Sequence, residues 1–153
     1  MASEFEFSVI DGMYVFVYPG EGVSDASWNR YIDHLQAFLR GRNNEIAGLR
    51  TLVFTDGGGP DVRQRGKLND VLDGRATPVA VVSGNFAVRA ILAPMSWFNP
   101  EIKLFAPKDV LTALAFLKVP AADTGRVFSV LHELNHKLAT PLKTVSELPV
   151  APR

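Results

Sequence analysis

Two hydrophobic strands in immediate succession, followed by alternating helical and extended patterns, limit what this chain can fold into. The first strand reads Phe5-Glu-Phe-Ser-Val-Ile10 and the second Tyr14-Val-Phe-Val-Tyr18, with a turn at Asp11-Gly12 between them. Asp-Gly flanked by aromatic and β-branched runs is a strong hairpin signal, because a two-residue hairpin turn needs residues that tolerate positive φ. A hairpin that feeds a run of βα units builds one mixed sheet with helices packed against it. The expectation is an α/β single domain with a mixed, mostly parallel five-stranded sheet and four to five helices. Its order is β-β-α-β-α-β-α-β-α plus a C-terminal helix.

Pro19-Gly20-Glu21-Gly22 stops the second strand, and Ser24 or Asp25 is placed to cap a helix. In that helix Trp28, Tyr31, Ile32, Leu35, Phe38 and Leu39 recur at spacings of three and four, which is one buried stripe. Gly41 is placed to end it in a left-handed conformation. Leu49–Phe54 reads as a central strand and runs into Thr55-Asp56-Gly57-Gly58-Gly59-Pro60. A modest helix from Asp61 carries only Val62, Leu68, Val71 and Leu72 as apolar positions, with Gly66 in its middle at a cost of about 1 kcal/mol relative to Ala. Pro78–Ser83 is an apolar run suited to burial on both sheet faces. A third helix follows through Phe86, Val88, Ile91 and Leu92, then a strand at Ile102–Phe105, a helix through Val110–Leu117, and a last amphipathic helix from near Asp123 to Ala139. The domain is expected to span 1–139. Residues 140–153 hold three prolines and little periodicity, and read as a mobile tail.

Composition narrows the function classes. Sixteen basic residues balance sixteen acidic ones, so no net field attracts nucleic acid or an anionic membrane. Without cysteine the chain has neither disulfides nor thiolate chemistry, which fits a cytoplasmic location. No apolar run approaches the ~20 residues a spanning helix needs, and the acidic N-terminus does not resemble a signal peptide. No stable membrane insertion, no nucleic-acid partner and no cofactor are expected.

Several patterns carry candidate chemistry. His132-Glu133-Leu134-Asn135-His136 matches H-E-x-x-H, in which histidines one helical turn apart share a zinc ion and the glutamate polarises its water. The helix's apolar stripe, through Val127, Val130, Leu131, Leu134 and Leu138, puts both histidines beyond its edge and toward solvent. Ala139 and Leu142 stand where the longer form of the motif needs glycine and histidine, so a solvated helix face is the better reading and a zinc-dependent hydrolase the less favoured one. The glycines after the Leu49–Phe54 strand, with Arg63, Arg65 and Lys67 behind them, offer backbone N–H groups and positive charge to an anion or a partner. The Walker pattern fails there, because Asp61 replaces its first glycine and Leu68 its Ser or Thr. Ser83, His34 and Asp56 supply the raw material of a hydrolase triad without a G-x-S-x-G elbow. Met95, Trp97 and Phe98 beside two prolines form either a buried edge or an exposed apolar patch.

The order of elements over residues 5–118, and above all Val79-Ala-Val-Val-Ser83, Glu101-Ile-Lys-Leu-Phe105 and Asp109-Val-Leu-Thr-Ala-Leu-Ala-Phe-Leu117, resembles the STAS/SpoIIAA-like family. These are sulphate-transporter and anti-sigma-factor-antagonist domains, with relatives of the lipid-binding Sec14 type. The resemblance implies a non-enzymatic protein-interaction module in bacterial-type signalling. In its best-known members a turn serine at a helix start is phosphorylated by a partner kinase. No serine lies between Ser27 and Ser83, and Thr55 is the only hydroxyl in the corresponding turn. The expected partner is another protein, a regulatory kinase or signalling component, or a second copy of the chain. It would bind through Thr55, Asp56, Gly57, Gly58, Gly59, Arg63 and Lys67, with Ser83 and Asn85 alongside. The alternative is a lipid or nucleotide carrier with a pocket lined by Phe86, Met95, Trp97 and Phe98.

Overall fold

The computed structural model describes residues 5–20, 22–85, 88 and 101–149. Five strands form one sheet in sequence order: β1 (Glu6–Ile10), β2 (Met13–Tyr18), β3 (Arg50–Thr55), β4 (Val79–Val82) and β5 (Ile102–Phe105). β1 and β2 are antiparallel, and β2 to β5 are parallel. The hairpin closes with Ile10 opposite Met13, so its loop is Asp11-Gly12 alone. Both residues have positive φ, 47° and 80°, which is the turn geometry that matches strand twist. A Cβ at Gly12 would also lie 3.2 Å from the Gly48 carbonyl oxygen.

Five α-helices accompany the sheet among the described residues: α1 (Asp25–Arg40), α2 (Val62–Leu72), α3 (Val110–Phe116), α4 (Thr124–His136) and α5 (Lys143–Ser146). Strand alternation divides the core in two. Val15, Val17, Leu52, Phe54, Ala80 and Val82 face α3, α4 and α5, with Leu114, Leu131, Leu134 and Val145 packed on them. Tyr14, Phe16 and Tyr18 point the other way, onto the Trp28, Tyr31, Leu35 stripe of α1. Ring contacts run through this second layer, with Tyr31 edge-on to Phe16 at 4.8 Å and Trp28 5.1 Å from Tyr31.

Three expectations change. Gly41 is not left-handed (φ −66°); the chain leaves α1 through Asn43 and Asn44, at φ 52° and 62°, with the Asn44 N–H bonded back to the Leu39 carbonyl. Asparagine tolerates that region, so the helix end moved past the glycine. The second correction concerns the tail. Residues 140–149 are not a free segment, because Leu142, Val145 and Leu148 are buried in the α3–α5 core. The buried Asn135 side chain holds the segment there, accepting from the Leu142 N–H at 2.7 Å and donating to the Leu142 carbonyl at 3.0 Å. Third, the apolar stripe of α4 was placed correctly, but His132 is only partly exposed. Its Nε2 lies 3.1 Å from the Leu148 carbonyl oxygen. The third helix, begun at Phe86, lies outside the described residues except for Val88, which is helical and buried.

Candidate functional site

α2 leans on α1 more than on the sheet, and polar contacts make that seam. Asp61 caps α2 by accepting from the Gln64 N–H at 2.8 Å, while Gln64 Oε1 accepts from the Asp61 N–H at 2.9 Å. The fully buried Gln64 side chain then donates to the Val23 carbonyl and to Asp25, and the Gln64 backbone carbonyl accepts from the Trp28 indole at 2.8 Å. Arg63 grips Asp25 with both carboxylate oxygens within 2.9 Å, and Lys67 donates to Asn29. Hydrogen bonds from Arg63 and Gln64 hold the Asp25 carboxyl below its usual range, and Asp25 in turn raises Arg63. Of the basic residues expected to meet a partner, Arg63 and Lys67 are therefore engaged by α1. Arg65 donates to the Pro60 carbonyl and has no carboxylate partner among the described residues.

Because α2 is tethered sideways and carries a thin apolar stripe, the described residues leave the sheet beneath it incompletely covered. A cavity of about 410 Å³ lies between α2 and the sheet. Its floor is the α2-facing set of strand side chains: Tyr14, Phe16 and Tyr18 of β2, Thr51, Val53 and Thr55 of β3, Val79 and Val81 of β4, and Ile102 of β5. Trp28, Tyr31 and Leu35 wall it on the α1 side and Leu68 and Leu72 on the α2 side. Gly57 to Pro60, Val62 and Arg65 edge it at the carboxyl ends of the strands, and Leu49, Arg75 and Thr77 at the other end. The described lining contains no carboxylate.

Burial governs the phenols on this wall. Tyr18 and Tyr31 are each 4% exposed, and burial pushes both well above the ordinary phenol range, with Tyr31 adding to the shift of Tyr18 and Tyr14 to that of Tyr31. Tyr14, pushed up to about 12, shares a 2.7 Å hydrogen bond with His34 Nδ1. All three are neutral near physiological pH.

At the carboxyl ends of the strands, the loops that follow β3 and β4 meet, as they do in open parallel sheets generally. Asn85 Nδ2 donates to the Asp56 carbonyl at 3.2 Å, and the Ser83 hydroxyl accepts from the Asn85 N–H. The Thr55 hydroxyl accepts from the Gly57 N–H and donates to the Gly58 carbonyl at 2.7 Å, so this buried group is consumed in shaping the turn. Gly57 has φ 123°, and a Cβ there would sit 3.1 Å from Asn85 Nδ2, so the position requires glycine. The structure thus gathers Thr55, Asp56, Gly57, Ser83 and Asn85 into one cluster, with Thr55 and Ser83 buried and Asp56 exposed. Val62, 75% exposed, stands at its border.

The other candidates are dispersed. His34 bonds to Tyr14 and Ser83 to Asn85, and neither bonds to the other. His136 is exposed one turn beyond His132, and among the described residues no group of three His, Asp or Glu could hold a metal ion. Phe86, Met95, Trp97 and Phe98 lie outside the described residues. Sequence reasoning missed the cavity lining itself. Its signal was the short apolar stripe of α2, too narrow to seal the strands it crosses.

No family model, curated protein or solved structure matches the chain. Among the described residues no helix is long and apolar enough to cross a membrane.

Proposed function

We propose that this chain is a non-catalytic binding protein of the cytoplasm that holds a small, mostly apolar ligand between α2 and the sheet. The supporting observation is that Val53, in the middle of β3, and Val79, the first residue of β4, are only half-buried and line the 410 Å³ cavity. Ligand pockets commonly measure ~300–1,000 Å³, with apolar walls and a few placed polar groups. N-phenyl-1-naphthylamine, a neutral fluorophore that brightens in apolar surroundings, tests this reading. Saturable one-to-one binding that disappears in Val53→Trp, with the circular dichroism spectrum unchanged, is the expected result. No binding to the parent chain would defeat it.

The second reading, a STAS-like interaction module in bacterial-type signalling, draws support from the joined post-β3 and post-β4 turns and the exposed Val62 beside them. It has no reactive centre to explain and needs only an accessible rim. Gly59 has no atom within 4 Å of an added Cβ, so Gly59→Trp together with Val62→Asp would obstruct the rim without disturbing the core. Loss of a partner captured by the parent chain supports this reading; unchanged capture opposes it.

A further inference from the structure

We infer that the cavity's ligand carries a neutral hydrogen-bond-accepting oxygen, a carbonyl on an otherwise apolar body, seated against the hydroxyls of Tyr18 and Tyr31. The inference rests on the ligand-binding reading above and names the chemistry of that site. Both phenols line the cavity and are more than nine-tenths buried. Neither hydroxyl has a hydrogen-bond partner among the described residues, whereas the neighbouring Tyr14 hydroxyl is paired with His34. A buried polar group left unpaired is costly, and folded proteins satisfy the great majority of theirs. Neither hydroxyl oxygen is sealed from solvent-sized space, since the one sealed and unpaired side-chain atom among the described residues is Arg50 Nε. The cavity provides that space. A protonated phenol can donate one hydrogen bond and accept another, and a carbonyl takes the donated one without bringing a donor of its own into the cavity. An ammonium would meet no carboxylate in the described lining. The described lining has cations only at its two ends, Arg65 and Arg75, so a carboxylate seated against the phenols and the aromatic wall would be costlier to desolvate than a neutral carbonyl.

Two naphthalene probes separate this inference from the reading beneath it. N-phenyl-1-naphthylamine offers no carbonyl, whereas 6-propionyl-2-(dimethylamino)naphthalene carries a ketone whose emission moves to longer wavelength when its oxygen accepts hydrogen bonds. The expected outcome is that both bind and that the ketone's bound emission reports a hydrogen-bonded carbonyl. Tyr18→Phe and Tyr31→Phe should each weaken the ketone about five- to tenfold, the loss of one ordinary hydrogen bond, and leave the naphthylamine unchanged. Both variants should melt at or above the parent's temperature without ligand, because each removes a hydroxyl that bonds to nothing in the protein. If both probes bind and neither Phe variant distinguishes them, the inference is overturned while the cavity reading stands. If a Phe variant lowers the ligand-free melting temperature markedly, its hydroxyl is already satisfied within the protein and the inference also fails. If neither probe binds the parent chain, the ligand-binding reading fails with it.

Discussion

The two faces of β3 and β4 are covered to very different degrees, although their residues alternate along the same strands. Leu52, Phe54, Ala80 and Val82 are at 0% exposure under α3, α4 and α5, while on the other face Val53 and Val79 are half-buried over a cavity and Val81 and Thr55 are buried at its floor. α4 meets its face with Val127, Phe128, Leu131 and Leu134, and α5 closes the end with Val145. On the other face α1 covers β2 with large aromatic rings, but α2 brings Leu68, Val71 and Leu72 and spends its polar groups on α1. One face is built as a core, and the other as a core at β2 that opens into a site toward β5. A layer whose covering helix is fastened at its side need not be fully packed beneath.

Substitutions can break this comparison, and the largest effect belongs to the sealed face. Phe54→Ala should cost about 3–5 kcal/mol in urea denaturation, and Val53→Ala about 1 kcal/mol or less. Equal losses would erase the distinction between the faces. Asn135→Ala should follow at about 1–3 kcal/mol, because it leaves the Leu142 N–H without its acceptor. Hydrogen exchange should rise across residues 142–148 in that variant. Enlargement sharpens the contrast from the other direction. Ala80→Leu should destabilise by about 1–3 kcal/mol, whereas Val79→Leu, on a side chain that borders empty space, should be near neutral.

The smallest effect belongs to the seam that holds α2. The folded-state Asp25 carboxyl titrates below its ordinary value of 3.8 because Arg63 and Gln64 bond to its charged form. Its contribution is therefore present above 3.8 and lost as pH falls through the folded-state value. Both partners are well exposed, so salt also weakens the pair. Arg63→Gln should melt slightly below the parent at neutral pH, and the gap should close in acid. A gap that widened in acid would show that Arg63 acts through some other contact.

Much of the fold was legible because its signals are local. Asp11-Gly12 specified the hairpin through backbone sterics, and the three-and-four spacing from Trp28 to Leu39 specified α1 through burial on one side. The tail was not legible, since Leu142, Val145 and Leu148 are spaced like a short helix but lie among prolines. What fixes them is Asn135, a polar residue on another element. The placement of His132 failed for the same reason, as the returning chain brings a carbonyl to the helix edge. The glycine turn lies beside Ser83 and Asn85, as its place after the β3 strand suggested, while Arg63 and Lys67 are committed to α1. Nothing in either segment alone reveals that commitment, because Asp25 and Asn29 lie nearly forty residues earlier.

From sequence alone came the alternation of elements, the hairpin and the faces of α1 and α4. These follow from steric and hydrophobic preferences that act over a few residues. Tertiary structure alone decided that α2 fastens to α1, that the last residues close one face, and that Tyr18 and Tyr31, packed among the rings of β2 and α1, also border the cavity. Each depends on which distant groups meet. A cavity is set by the volumes that several elements fail to fill together, and no single segment encodes that difference.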